Sequence, residues 1–128
     1  MAISTTISAG FARPGGESYS GASVHVGDTQ VHVNTVIPTG HAAEPVACEF
    51  AVASVTALFI LADKDCTLMT NSSTTPVDEV DLKAGQALIW VSSNGYYACP
   101  FSADVTTFYI DTTGVVGNTT LIADILLS

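Results

Sequence analysis

Short apolar runs recur along the chain between segments rich in Gly, Pro, Ser, Thr and Asn. Residues 86–91 and 105–110 are two such runs. Both combine β-branched and aromatic side chains, and the polar loop between them contains Asn94 and Gly95. This length and composition between turn-forming residues is typical of β-strands. The first run contains Trp90, the single tryptophan, so we expect the centre of a β-sheet core there.

Four further segments have the hydrophobic pattern of strands. Residues 55–61 form a continuous apolar run, which is typical of a strand buried on both faces. Residues 46–51 and 77–82 alternate between apolar and polar positions, as half-solvated strands do, and residues 118–127 form the last strand. Because long helix-forming stretches are scarce, the pattern predicts an all-β protein.

Residues 23–34 read almost the same in both directions about Asp28 and Thr29, which predicts a tight hairpin in which His25 faces His32. Cross-strand neighbours lie about 5 Å apart at Cβ, so the two histidines are weak candidates for a metal site, with His41 as a third ligand. An amphipathic hairpin with a polar outer face explains the same pattern. We prefer this interpretation because no acidic or thiol ligand has a defined position nearby, and we expect no cofactor.

A strand, a turn and a returning strand occur twice in the chain. Residues 55–60 and 67–69 resemble residues 105–110 and 120–122, which lie about fifty residues further along. Two hairpin units of this kind fit a double Greek key. We therefore predict a single-domain antiparallel β-sandwich, jelly-roll-like, over residues 21–128. A coincidental likeness between apolar strands is the alternative.

Residues 1–20 differ from the rest, because Gly, Pro and Ser interrupt them and they contain few large side chains besides Phe11 and Tyr19. We predict an extended N-terminal arm in which residues 2–8 pair as an edge strand. The arm is either a loose terminus or a tether that becomes ordered on a neighbouring molecule.

The chain is poor in charge for a soluble domain. Charged residues make up 12% and hydrophobic residues 48% of the sequence, whereas ordinary soluble domains contain about 25% charged residues. Either Ser and Thr solvate the surface or other subunits cover part of it. The net charge of −9 disfavours binding to nucleic acids. No apolar run reaches about 18 residues, the length of a membrane helix, and we expect neither membrane insertion nor a signal peptide.

The sequence offers little catalytic chemistry. The three cysteines, Cys48, Cys66 and Cys99, cannot all pair within one chain, and their apolar surroundings predict free buried thiols in a reducing cytoplasm. The common motifs of hydrolases, phosphate-binding loops, zinc proteases and dinucleotide-binding folds are missing. A dispersed Ser-His-Asp triad stays open, because its members need not be close in sequence. We expect no enzymatic activity.

The C-terminal two thirds, from residue 46 onwards, resembles small proteins encoded beside the major capsid protein of tailed bacteriophages. The resemblance lies in an ordered set of short motifs: the apolar strand at 55–61, TNSS at 70–73, LKAG at 82–85, LIW at 88–90, GY at 95–96, PF at 100–101 and DVT at 104–106. It implies a capsid decoration, or cement, protein, which is a β-sandwich on the outer shell that joins neighbouring capsid subunits. It implies no catalytic residues.

From this resemblance we expect a structural virion protein that is made in the host cytoplasm and stabilises the outer capsid surface. Its expected partners are the major capsid protein and further copies of itself, as a dimer or trimer. An acidic chain suits the outside of a DNA-filled shell. The candidate contact residues lie in the arm and in the loop near residue 95, with the loop at 71–76 as a further contact region: Phe11, Arg13, Tyr19, Asn94, Tyr96 and Tyr97.

The alternative function is a receptor- or carbohydrate-binding β-sandwich of a phage head fibre or tail. Exposure of Trp90, Tyr96 and Tyr97 around a pocket would favour it. Burial of Trp90 in the core would count against it.

Overall fold

The computed structural model describes residues 2–12, 15, 18–92 and 97–128, with the backbone alone for residues 9–12, 18–21 and 23–25. Within these residues the chain forms ten strands and one 3-10 turn, Val52–Ser54, and no helix is long and apolar enough to cross a bilayer. The strands are β1 (Ile3–Ala12), β2 (Ser18–Gly27), β3 (Thr29–Ile37), β4 (Glu44–Phe50), β5 (Val55–Ala62), β6 (Cys66–Thr70), β7 (Glu79–Leu82), β8 (Leu88–Val91), β9 (Val105–Asp111) and β10 (Thr119–Leu127).

Eight strands form two four-stranded antiparallel sheets. The strand order is β3-β10-β5-β8 in the first sheet and β4-β9-β6-β7 in the second sheet. The pairs β3–β10, β4–β9, β5–β8 and β6–β7 alternate between the sheets, so this part of the chain is one long hairpin wound around a core. This is the double Greek key of a jelly roll. It confirms the prediction of an all-β, jelly-roll-like antiparallel sandwich.

Inward-facing side chains of both sheets fill the core. Along β10, Leu121, Ala123 and Ile125 are fully buried and alternate with more exposed residues, because successive side chains of a strand point to opposite faces. The aromatic part of the core is a cluster of three rings with centroids 5.7–6.2 Å apart: Phe50, Phe101 and Phe108. Full burial of one such large side chain contributes roughly 1.5–3 kcal/mol, so each of the three rings adds appreciably to the stability of the sandwich.

Side-chain hydrogen bonds hold the loop between β6 and β7 at one end of the sandwich. Asn71 has a left-handed backbone with φ 67°. Its Nδ2 donates to the carbonyl of Asp104 at 2.8 Å, and its Oδ1 accepts from the backbone N–H of Thr106 at 2.7 Å. Asp78 accepts from the N–H and the hydroxyl of Ser102, both at 2.8 Å. The predicted contact loop at 71–76 is thereby fixed against the start of β9.

The predicted hairpin at residues 23–34 is wrong. β2 pairs with β1, where His25 is opposite Thr5, and β3 pairs with β10, where His32 is opposite Asp124. Pairing with β10 lets β3 bury Val33 and other apolar side chains in the core, which an isolated hairpin does not offer. The cross-strand pair of His25 and His32, on which the weak metal site depended, therefore does not form.

Trp90 is not at the centre of a sheet. It lies on β8, an edge strand of the first sheet, and its indole is half-buried against the core. The two repeated units also differ from the prediction, because β5–β6 and β9–β10 each cross from one sheet to the other instead of forming hairpins. β5 pairs with β10 and β6 pairs with β9, so the similar segments occupy equivalent positions in the roll.

The N-terminal segment is a paired ribbon. β1 and β2 are in register from Ile3 opposite Gly27 to Ala12 opposite Ser18, and they form a separate two-stranded sheet. The boundary predicted at residue 20 falls inside β2. The change from ribbon to sandwich lies instead at the turn of Gly27 and Asp28.

Candidate docking surface

The two sheets differ sharply in charge. The strands of the first sheet contain one acidic residue, Asp124. The strands of the second sheet contain five: Glu44, Glu49, Glu79, Asp81 and Asp111. Since burying a charge at an interface is costly unless it is paired, the first sheet is the better candidate for contact with another protein.

Side chains that point away from the core on the first sheet form a row across its four strands. Ile89 on β8, Phe59 on β5, Asp124 on β10 and His32 on β3 are in register. Ile89 is 41% exposed, and Phe59 is half-buried. The next row adds two half-buried aliphatic side chains, Leu61 and Ile122. We call the outward surface of the first sheet the outer face; it is apolar over β5 and β8 and polar over β3.

The ribbon covers one end of the outer face. Leu126 and Ala57 point outward in register, yet they are only 3% and 2% exposed. At the base of the ribbon, the backbone N–H of Asp28 donates to the carbonyl of Leu127 at 2.7 Å. A Cβ on Gly27 would lie 2.5 Å from the same oxygen. Gly27 therefore allows β2 to approach the end of β10 closely.

A cleft of about 280 Å³ separates β1 from the outer face. Residues 5–8 of β1 form one wall, and Phe59, Ile89 and Leu126 form the apolar floor. A cleft with an apolar floor and hydroxyl groups along its wall suits an aliphatic or aromatic side chain of a partner protein.

A small polar cluster borders this cleft. Asp124 Oδ1 accepts from Nε2 of Gln30 at 2.7 Å and lies 2.6 Å from Nδ1 of His32. These contacts fix the orientation of the single carboxylate in the strands of the first sheet. The polar half of the outer face is thus preorganised for hydrogen bonding, and Asp124 is the one acidic residue in its strands.

The predicted contact residues are only partly described. Arg13, Asn94 and Tyr96 lie outside the described residues. Phe11 and Tyr19 are backbone partners near the far end of the ribbon, and their side chains are outside the described part of the chain. Tyr97 is 76% exposed. Its carbonyl accepts a hydrogen bond from Nε1 of Trp90 at 3.0 Å, which ties the segment that begins at Tyr97 to β8.

Sequence reasoning missed Ile89 and Phe59 as surface residues. The signal was present, because the continuous apolar run at 55–61 predicts a strand with two apolar faces. The prediction placed both of these faces in the core. In the structure the second sheet covers one face, and part of the other face stays accessible.

Metal-binding geometry is not found in the part of the chain whose side chains are described, where no group of three or more His, Cys, Asp or Glu residues is arranged to hold an ion. His41 lies 3.3 Å from Glu44 through Nε2 and Oε2, away from His32 and its partner Asp124. No family model, curated protein or solved structure matches the chain.

Proposed function

We propose that this protein is a capsid decoration protein that binds the outer surface of a tailed-phage shell and bridges major capsid protein subunits. The outer face and the ribbon contact the shell, and the acidic second sheet faces solvent. The observation that carries the proposal is the contrast between the two sheets, one acidic residue against five. A surface with half-buried apolar rows and little charge resembles the core of a protein interface.

The ribbon supports the same orientation. Its two strands pair only with each other among the described elements, and it lies across the outer face beside the apolar cleft. A two-stranded ribbon presents backbone edges on both sides, which can add to an edge strand of a capsid subunit. Many weak contacts of this kind would stabilise a shell by avidity.

Binding to purified shells of the phage that encodes the chain tests this proposal. We expect Ile89→Lys to reduce the number of copies that co-sediment with shells, because it places a charge on the apolar rows. The control is Val116→Lys, which adds the same charge at an aliphatic residue that is 87% exposed in the loop between β9 and β10. If the two variants occupy shells to the same extent, the outer face is not part of the contact with the shell.

A truncated chain that begins at Asp28 tests the ribbon. We expect it to stay folded, since the ribbon contributes no strand to either four-stranded sheet, and to lose most of its shell binding. Circular dichroism checks the fold, and co-sedimentation checks the binding. Full occupancy by this truncated chain would show that the ribbon is dispensable for docking.

A receptor- or carbohydrate-binding module is the second candidate. The observation that favours it is the exposure of Tyr97, which is 76% accessible and whose carbonyl accepts a hydrogen bond from the half-buried Trp90. Tyr97→Ala separates the two functions: loss of binding to host-cell surface glycans with unchanged shell occupancy supports the receptor function, and the reverse result supports decoration.

A further inference from the structure

The sandwich has four edge strands, and three of them carry features that block pairing with another chain. β7 is four residues long and contains Glu79 and Asp81. β4 contains Pro45, which lacks an N–H, two glutamates, and a register shift in its pairing with β9. β8 is four residues long. Charge, proline, irregular register and short length are the usual means by which proteins protect sheet edges.

β3 has none of these protections. It is nine residues long, contains no charged carboxylate or ammonium group and no proline, and stays in regular register with β10 from Thr29 to Ile37. Six of its nine residues are β-branched, namely Thr29, Val31, Val33, Thr35, Val36 and Ile37. A segment with high β-propensity, low net charge and no proline is the kind that pairs with a copy of itself.

The free side of β3 has backbone groups to offer. β10 is its single strand partner, and the backbone hydrogen bonds found outside the sheets in the described residues involve no residue from 29 to 37. In an edge strand, alternate N–H and C=O groups point away from the sheet. Those of β3 are therefore available over a length at which strand addition is specific and stable.

We propose that two copies of this chain associate by antiparallel pairing of β3 with β3 of the second copy, which joins two first sheets into one continuous eight-stranded sheet. A two-fold axis at Val33 makes the pairing self-complementary. His32 then faces Asn34 of the other copy on the outer face, and Val31 faces Thr35 on the core side. An isologous contact of this type closes after two copies, because both β3 edges are then paired and the remaining edges are the protected ones.

Charge favours a second copy at β3 over the edges at β4 and β7, and the four-residue length of β8 disfavours that edge. Each chain carries a net charge of −9, so copies repel one another. β3 contains no acidic residue, and the nearest carboxylate of its sheet, Asp124, is held by Gln30 and His32. The edges at β4 and β7 would instead bring two acidic residues from each copy together. Pairing at β3 is independent of shell binding and can be tested without shells.

The test is the oligomeric state of the full chain and of two matched variants. Val36 is 55% exposed on β3, and Val77 is 51% exposed in the loop between β6 and β7. Val36→Lys and Val77→Lys therefore make the same chemical change at similar exposure, on the proposed edge and away from it. Asn34→Lys, also at an exposed position of β3, is a second edge variant in case Val36→Lys impairs folding.

In sedimentation equilibrium we expect the wild type and Val77→Lys to dimerise alike. Val36→Lys and Asn34→Lys should raise the dimer dissociation constant by about tenfold or more, because each interface contains the substitution twice. Hydrogen exchange of the β3 amides should slow with rising concentration in the wild type but not in the edge variants. A monomeric wild type, or edge variants that dimerise like Val77→Lys, would overturn the proposal. If β3 instead pairs with a strand of a different protein, the purified chain will be monomeric at all concentrations. That result would contradict the proposed dimer in the same way.

Discussion

The buried thiols show how burial sets chemistry at single residues. Burial raises the pKa of Cys48 from 9.0 to about 12 and, with the added effect of Asp65, Asp63 and Asp111, the pKa of Cys66 to about 11. Burial also raises the pKa of Cys99, which is half-buried. The prediction of free buried thiols is confirmed for Cys48 and Cys66. A protonated thiol is a poor nucleophile, so these two are structural residues.

The raised thiol pKa values predict a loss of stability at alkaline pH. The unfolded chain releases these protons near pH 9.0, whereas the folded chain keeps them to about pH 11 or 12. The stabilisation is fully present below pH 9.0 and is lost as pH rises through the folded values. Urea unfolding at about pH 8 and about pH 10.5 should show a smaller pH-dependent loss in Cys48→Ala/Cys66→Ala than in the wild type. Equal losses in both proteins would assign the pH dependence to other groups.

Residue-level properties were predictable where they depend on neighbours in sequence. The apolar contexts of Cys48 and Cys66 already indicate burial. The partners of His32 were not predictable, because Asp124 lies 92 positions away and reaches it through the pairing of β3 with β10. The segment around Val26 and Val31 shows the same dependence on distant residues. Its nearly symmetric sequence is compatible with a hairpin, but β3 pairs with β10, which lies far away in sequence.

At the scale of elements, the ribbon and the sandwich meet at one crowded point. Gly27 ends β2, and a Cβ there would lie 2.5 Å from the carbonyl of Leu127 and 2.8 Å from Cγ of Leu126. Contacts this short require backbone movement, and overpacking of this kind typically costs about 1–3 kcal/mol. The position of the ribbon therefore depends on glycine at residue 27, where no side chain separates β2 from the end of β10.

We expect Gly27→Ala to release the ribbon from the outer face. Hydrogen exchange of β1 and β2 should become faster, while the two four-stranded sheets keep their protection. Gly40→Ala is the control, because a Cβ at that position would meet no atom within 4 Å and the change costs only the left-handed strain of φ +60°. Unchanged exchange in the ribbon of Gly27→Ala would mean that the close approach at β10 is not what holds it.

The strands themselves followed the hydrophobic pattern closely. The predicted runs at 55–61, 105–110 and 118–127 correspond to β5, β9 and β10. The edge strand predicted at residues 2–8 corresponds to part of β1, but the Gly and Pro residues that follow gave no sign that β1 pairs with β2 over ten residues. The pattern also failed to place Trp90 at an edge, since the order of strands in a sheet depends on topology and not on the composition of one strand.

At the scale of the whole molecule, the jelly-roll-like sandwich was predicted from a repeated strand-turn-strand unit, although these units cross between the two sheets instead of forming hairpins. The sequence alone could not predict which sheet is poorer in charge. The unequal distribution of charge between the sheets appears only after the strands are assigned to sheets. Low overall charge fits either a surface solvated by Ser and Thr or a surface covered by other molecules, and our two proposals place such a cover at the outer face and at the edge of β3.

The net charge of −9 makes a final prediction about self-association. Repulsion between two acidic copies acts over the Debye length, which is about 30 Å at 0.01 M salt and about 10 Å at 0.1 M. Pairing through the uncharged β3 gains nothing from opposite charges, so added salt should screen repulsion and tighten the dimer severalfold in sedimentation experiments. Asp28→Asn, beside the start of β3, should reduce this salt dependence more than Glu49→Gln on the β4 edge, although both exposed substitutions remove one charge. A dimer that weakens with salt would indicate an interface held by ion pairs, which β3 cannot supply.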